Sequence, residues 1–154
     1  DVDNHMRREI AALHEAMQRL VPVVDADTSA FNEFLEGVRM PQDTHAQREA
    51  RQAKMQQGLA TAVEVPLTTM RLADAAWEPL CEVARHGNPA SRSDVEVGAR
   101  ALEAGIWGAY RNVLINLQDI VDEDFKACKR AEAETLAARA AERCAEVGRI
   151  LESR

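Results

Sequence analysis

A chain of 154 residues, 46% of them hydrophobic, has the size of one ordinary domain and enough apolar material for a core, which sets disorder aside. A formal net charge of −7 excludes nucleic acid and anionic membranes as bulk electrostatic partners, so an anionic ligand needs a local basic cluster. No run of about 18 apolar residues offers a membrane span.

Alanine, glutamate, arginine and leucine dominate, glycine is scarce and no alternating β-branched run stands out, so the expected fold is all-α. The opening "DVDNHMRREI" has no signal-peptide-type apolar segment and no initiator Met, and reads as the start of a fragment. A first helix is expected from about Asn4 to Val38, its stripe running through Ile10, Leu13, Met17 and Leu20. Pro22 should kink it or break it. At roughly 100° per residue, Asp27 shares a face with Leu20, Val23, Val24, Ala30, Phe31 and Phe34. Asp25 points the other way, with Val21, Thr28, Ser29 and Asn32.

"MPQDT" is a loop, and Thr44 with Gln47 has capping-box form. A second helical stretch runs from about His45 to His86, where Pro66 or Pro79 is expected to bend it or start a new segment. "HGNPAS" ends it, with Gly87 suited to a left-handed cap and Asn88-Pro89 turning the chain. Ser93 and Glu96 suggest a second capping box ahead of a helix to about Leu117. "QDIVDED" forms a joint, and a last helix starts near Glu123. Its seam reads Phe125, Cys128, Ala131, Leu136, Ala140, Cys144, Val147 and Leu151, as plain core packing.

Four places call for weighing. Asp27 within an apolar stripe is either desolvated, which raises a carboxyl pKa and suits a general acid, or paired with a cation or amide of a neighbouring helix, or set at the edge of the stripe. Asn112 and Asn116 share one face in "RNVLINL". Interior helical asparagines are costly unless paired, so they line a cavity or make an interhelical hydrogen bond; Trp107 and Tyr110 nearby read as packing residues. In "HGNPASRSD", Asn88 and Asp94 suit caps and helix starts, whereas Arg92 either holds a carboxylate or phosphate or decorates a solvated turn. Arg48, Arg51 and Lys54 form a cationic face that is either an anion contact or plain surface. Cys81, Cys128 and Cys144 show no CxxC spacing and fit reduced thiols. With four scattered histidines, this ligand pattern gives no metal site, and no glycine-rich phosphate loop, nucleophile elbow or HExxH pattern is present.

The segments "VDADTSAFNEFLEGVRMP", "VPLTTM", "HGNPASRSDVEVGARALEAG" and "GAYRNVLINLQDIVDEDFK" occur in consistent order from about Leu20 to Lys126, and together they resemble the cyclodeaminase domain of formimidoyltransferase-cyclodeaminases. The resemblance implies an antiparallel, proline-kinked helical bundle that forms homodimers, with the active site between subunits. It also implies conversion of 5-formimidoyltetrahydrofolate to 5,10-methenyltetrahydrofolate plus ammonia in cytoplasmic histidine degradation. The second aspartate of "VDAD", Asp27, is then the proton donor. Asn88, Asp94, Asn112 and Asn116 become candidate pterin contacts or supports. Arg48, Arg51, Lys54 and Arg92 become candidates for the tail of tetrahydrofolate, in its polyglutamylated form; no metal is implied.

Members of the family carry a glycine-rich "PGGGS"-like helical segment ahead of the matched region, which this sequence does not include. The expectation is a bundle with an exposed apolar groove, inactive or abnormally assembled by itself. The formimidoyltransferase domain of the bifunctional enzyme is a further implied partner. Two other readings stay open: a methenyltetrahydrofolate cyclohydrolase of the same fold, and a helical oligomerisation module without activity.

Overall fold

The computed structural model of the protein describes residues 2–154. Five α-helices follow one another: α1 (Val2–Arg39), α2 (His45–Asp74), α3 (Trp77–His86), α4 (Arg92–Asn116) and α5 (Glu123–Glu152). Short 3₁₀ turns at Pro89–Ser91 and Leu117–Asp119 flank α4. Helix α2 lies at the centre, touching α1, α4 and α5, while α3 bridges α1 and α5. Among the described residues no helix is long and apolar enough to cross a membrane.

Local chemistry sets the helix ends. The Thr44 hydroxyl accepts from the Gln47 amide at 3.2 Å and the Gln47 side chain accepts from the Thr44 amide at 2.9 Å, the expected capping box. Asp122 caps α5 by accepting from Phe125 N at 2.9 Å, and Glu123 and Asp124 complement the positive end of that helix. The break in the second helical stretch falls at Ala75 and Ala76, at neither proline. Pro79 sits in the first turn of α3, where Leu80 N to Ala76 O is already the first helical bond beyond it, so the missing N–H costs nothing.

Two end signals are corrected. Gly87 is extended, at φ −68° and ψ 173°, and donates to Val83 O. Its lack of a side chain serves space instead: a Cβ there would lie 2.5 Å from Val83 O. The second capping box does not form, because the 3₁₀ turn runs straight into a helix starting at Arg92 and leaves Ser93 inside its first turn.

Neither internal proline interrupts its helix. Pro22 deprives the Gln18 carbonyl of a helical donor, but both residues face solvent, where water can serve it. Pro66 is buried and does the same to the carbonyl of half-buried Ala62.

The core is built on Leu59, Val63, Leu67 and Met70 of α2, Trp77, Leu80 and Cys81 of α3, and Ile106 and Val113 of α4. Helix α5 adds Ala133, Leu136, Ala140, Cys144, Val147 and Leu151. Its seam is thus corrected at the N-terminal end, where Cys128 and Ala131 are exposed and Ala133 takes the inward position. An Arg71 guanidinium clasps Glu132 through two bonds of 2.6 and 2.8 Å and reaches Glu64 at 3.0 Å, pinning α2 to α5.

Helix α1 buries only Ala16, Ala30 and Gly37. It approaches α2 closely through glycine: a Cβ on Gly58 would stand 2.6 Å from the Phe34 backbone, and one on Gly37 would stand 2.8 Å from Met55 N. The other face of α1 carries Val21, Val24 and Phe31 at 66%, 71% and 59% exposure.

Candidate functional site

Helices α1, α2 and α4 enclose an open cleft of ≈ 480 Å³. From α1 come Leu20, Val23, Val24 and Asp27; from α2 Val65, Pro66 and Thr69; from α4 Ala104, Gly105, Gly108, Ala109 and Asn112. The walls are mainly apolar, with few polar groups: the Asp27 carboxylate, the Asn112 amide and the Thr69 hydroxyl, which donates to Val65 O at 3.2 Å. An apolar recess with a few converging polar groups is the usual form of a small-molecule site.

Asp27 makes no hydrogen bond or ion pair among the described residues, so the pairing alternative does not apply. Its surroundings differ from the expected stripe. Ala30 is buried and Phe34 packs on the core, but Val24 and Phe31 are exposed, and so is Asp27. The chain by itself therefore sets the carboxylate at the edge of the stripe, in the cleft but not enclosed by it. Asp25 lies outside the cleft and only its backbone is engaged, accepting from the Ser29 hydroxyl.

The two asparagines divide their tasks. Asn112 lines the cleft; Asn116 does not, and its Nδ2 donates to Ala62 O at 2.6 Å and to Asn112 Oδ1 at 3.2 Å. Tyr110 packs on the core as expected, whereas Trp107 is 62% exposed and is no packing residue within the chain.

The candidate cations lie elsewhere. Arg48 donates to Gln42 O and Asp43 O, Arg51 to Val38 O, and Lys54 pairs with Glu33 and Glu36. Arg48 fastens the loop before α2, Arg51 and Lys54 tie α2 to α1, and none lines the cleft. Asn88 and Arg92 line a separate recess of ≈ 360 Å³ between α3, α4 and Arg154, in which Asn88 is occupied capping Ala90 N. Asp94 is exposed in the first turn of α4 and borders neither recess.

Residues not anticipated include Thr69, Pro66, Gly105 and Gly108. The glycines carried a signal: "EAGIWGAY" spends two helical positions on glycine, and a Cβ at either would meet nothing within 4 Å. Helix propensity makes each costly and packing does not demand them. Among the described residues no three His, Cys, Asp or Glu side chains converge as a metal site.

The sequence matches the formiminotransferase-cyclodeaminase family over residues 1–135. It is 50% identical over 125 residues to a formimidoyltransferase-cyclodeaminase of Gallus gallus, covering 81% of this chain and 23% of that protein. A methenyltetrahydrofolate cyclohydrolase of Methylorubrum extorquens is 30% identical over 134 residues, covering 86% of this chain and 64% of that one. The crystal structure of a formiminotetrahydrofolate cyclodeaminase from Thermotoga maritima superposes with a TM-score of 0.85 at 27% identity, covering 99% of this chain and 72% of that one. The chain thus spans about a quarter of the Gallus gallus relative and nearly three quarters of the bacterial one. A match of this extent is decisive: the chain belongs to the formiminotransferase-cyclodeaminase family.

Proposed function

We propose that the cleft between α1, α2 and α4 binds a reduced folate and that the protein cyclises 5-formimidoyltetrahydrofolate to 5,10-methenyltetrahydrofolate with release of ammonia. The observation that carries this reading is an unpaired carboxylate, Asp27, on an apolar cleft of ligand size in a chain half identical to a formimidoyltransferase-cyclodeaminase.

The chemistry needs such a group. Folate N10 attacks the formimidoyl carbon on N5, forming the N10–C bond and breaking the C=N π bond, and the N10 proton passes to the exocyclic nitrogen to give a tetrahedral aminal bearing NH2. The C–N bond to the exocyclic nitrogen breaks only when that nitrogen is protonated, and ammonia leaves. Asp27 in its acid form supplies this proton. The carboxylate it becomes then lies beside the cationic methenyl bridge, an arrangement favoured by simple Coulomb attraction. Asn112 orients the pterin.

Water must be held away from the methenyl product, and the cleft of one chain is open. The exposed Val24 and Phe31 flank Asp27 on α1, an apolar surface suited to burial against a second copy. A homodimer closing over the cleft would enclose Asp27, and we place the working enzyme in the cytoplasm, in histidine degradation, beside a formimidoyltransferase domain.

The test is to supply 5-formimidoyltetrahydrofolate and follow ammonia together with methenyl absorbance. Equal production of both supports the reading. The similarity to a cyclohydrolase favours one second reading, hydration of the methenyl bridge. Loss of methenyltetrahydrofolate without any ammonia from the formimidoyl substrate would select it.

A further inference from the structure

Pro66 has no N–H, so the Ala62 carbonyl lacks its helical donor within α2. That carbonyl can only accept, and the group facing it, 2.6 Å away, is the side-chain amide of Asn116 on α4. The NH2 of Asn116 must therefore point at Ala62 O, which removes the usual ambiguity between amide oxygen and nitrogen. The same NH2 also reaches Asn112 at 3.2 Å, so the atom it meets there must be an acceptor, Asn112 Oδ1. Each assignment forces the next. Asn112 has its oxygen engaged and its own NH2 without an acceptor among the described residues.

We infer that Asn116 is a positioning residue that turns Asn112 into an obligate hydrogen-bond donor in the cleft, for a ligand group bearing lone pairs. On the folate reading proposed above, on which the choice of ligand rests, that group is the carbonyl oxygen of the pterin ring. The helix-breaking character of Pro66 is what sets the chain of orientations, because a helical N–H at that position would already serve Ala62 O. Asn116 itself does not touch the ligand.

Two measurements test this on the unaltered protein and on the variants Asn116→Ala, Asn116→Asp and Asn112→Asp. The first is side-chain amide hydrogen exchange by NMR without ligand: the Asn116 NH2 protons exchange slowly and those of Asn112 quickly. The second is binding of 5-formyltetrahydrofolate, a folate with no ammonia to lose, followed by tryptophan fluorescence. Asn116→Ala frees the Asn112 amide to rotate and weakens binding about fivefold to tenfold, with KM for the formimidoyl substrate rising in step and kcat changing less. Asn116→Asp replaces the donor by an acceptor that captures the Asn112 NH2, so binding falls further than with alanine. Asn112→Asp removes the donor directly and matches the Asn116→Asp loss.

Slow exchange at Asn112 and fast exchange at Asn116 would overturn the orientation. Full binding by both Asn116 variants would overturn the positioning role. Full binding by Asn112→Asp would overturn the donor role, and does so even where an Asn116 variant does not fold. Failure of the unaltered protein to bind the folate, with the exchange pattern as expected, would overturn the folate reading and with it the named ligand, leaving the amide orientation standing.

Discussion

Pro66 and Asn116 are joined through one carbonyl: the proline on α2 leaves Ala62 O without a helical donor, and the asparagine on α4 donates to it at 2.6 Å. Their energies should be coupled. Asn116→Ala strands a part-buried carbonyl and should cost about 1–3 kcal/mol. In a Pro66→Ala background the restored N–H satisfies that carbonyl, and the same change should cost only a few tenths of that. Denaturant unfolding of the four species closes a double-mutant cycle with a coupling of about 1 kcal/mol or more. Additive losses would mean that the two residues act separately.

Asp27→Asn retains the shape of the side chain and loses the transferable proton. Deamination should fall by about 10²–10⁴-fold, with the unfolding free energy within about 0.5 kcal/mol of the parent, since Asp27 makes no bond among the described residues to lose. Asp25→Asn, outside the cleft, should retain nearly full activity. Equal losses from the two would remove the distinction in roles.

Much of the fold was legible because helical periodicity and capping are local. Thr44 with Gln47 and the start of α5 depend on residues within one turn of each other, and both stand where expected. Gly87 and Ser93 were misplaced for a different reason: what decides them is the Val83 carbonyl behind the glycine and the 3₁₀ turn leading into α4. Helical-wheel geometry separated Asp27 from Asp25 correctly but overstated the burial of Val24 and Phe31, because a wheel orders faces and does not say which face meets another helix. Arg48, Arg51 and Lys54 clustered in sequence without facing the cleft, since their partners lie on the α1–α2 loop and the C-terminal part of α1. An interhelical hydrogen bond was one of the two readings of the asparagine pair, and Asn116 makes it, but its partner at Ala62 O opposite Pro66 depends on the register of α4 against α2, which no local pattern encodes.

Gly108 gives stability and activity opposite signs. A Cβ there meets nothing within 4 Å, so Gly108→Leu should leave the fold intact or strengthen it by up to about 1 kcal/mol through helix propensity. The added side chain occupies the cleft, and folate turnover should drop at least about tenfold. Gly98→Ala on the same helix, also in open space but off the cleft, should give the stability gain without the loss. Paired thermal melts and turnover assays distinguish a cleft role from a packing role.

Gly58 should behave in the reverse sense. A Cβ would lie 2.6 Å from Phe34 N and Phe34 Cα, backbone atoms that cannot swing aside. Gly58→Ala therefore forces α1 away from α2, and the overpacking cost of about 1–3 kcal/mol outweighs the propensity gain. Because α1 carries Asp27, turnover should fall along with the unfolding midpoint.

The Arg71–Glu132 clasp predicts an acid-sensitive contribution. Hydrogen bonding from Arg71 is the largest cause holding Glu132 below the ordinary glutamate range, against an opposing effect of burial. Glu64 is lowered as well: burial, its largest single influence, raises it, but bonds from Lys129 and Arg71 together outweigh that. A carboxyl lowered in the folded state releases its proton more readily there than in the unfolded chain. Its stabilisation is thus complete above the ordinary glutamate pKa and is lost as pH falls toward the lowered folded value. Both partners remain about a third exposed, with side-chain exposures of 38% and 35%, so solvent limits the pair to about 1 kcal/mol despite its two-pronged geometry. Glu132→Gln should cost that much at neutral pH, and the gap between variant and parent should close as the medium is acidified below the glutamate range. A gap that persists unchanged in acid would assign the loss to packing instead of charge.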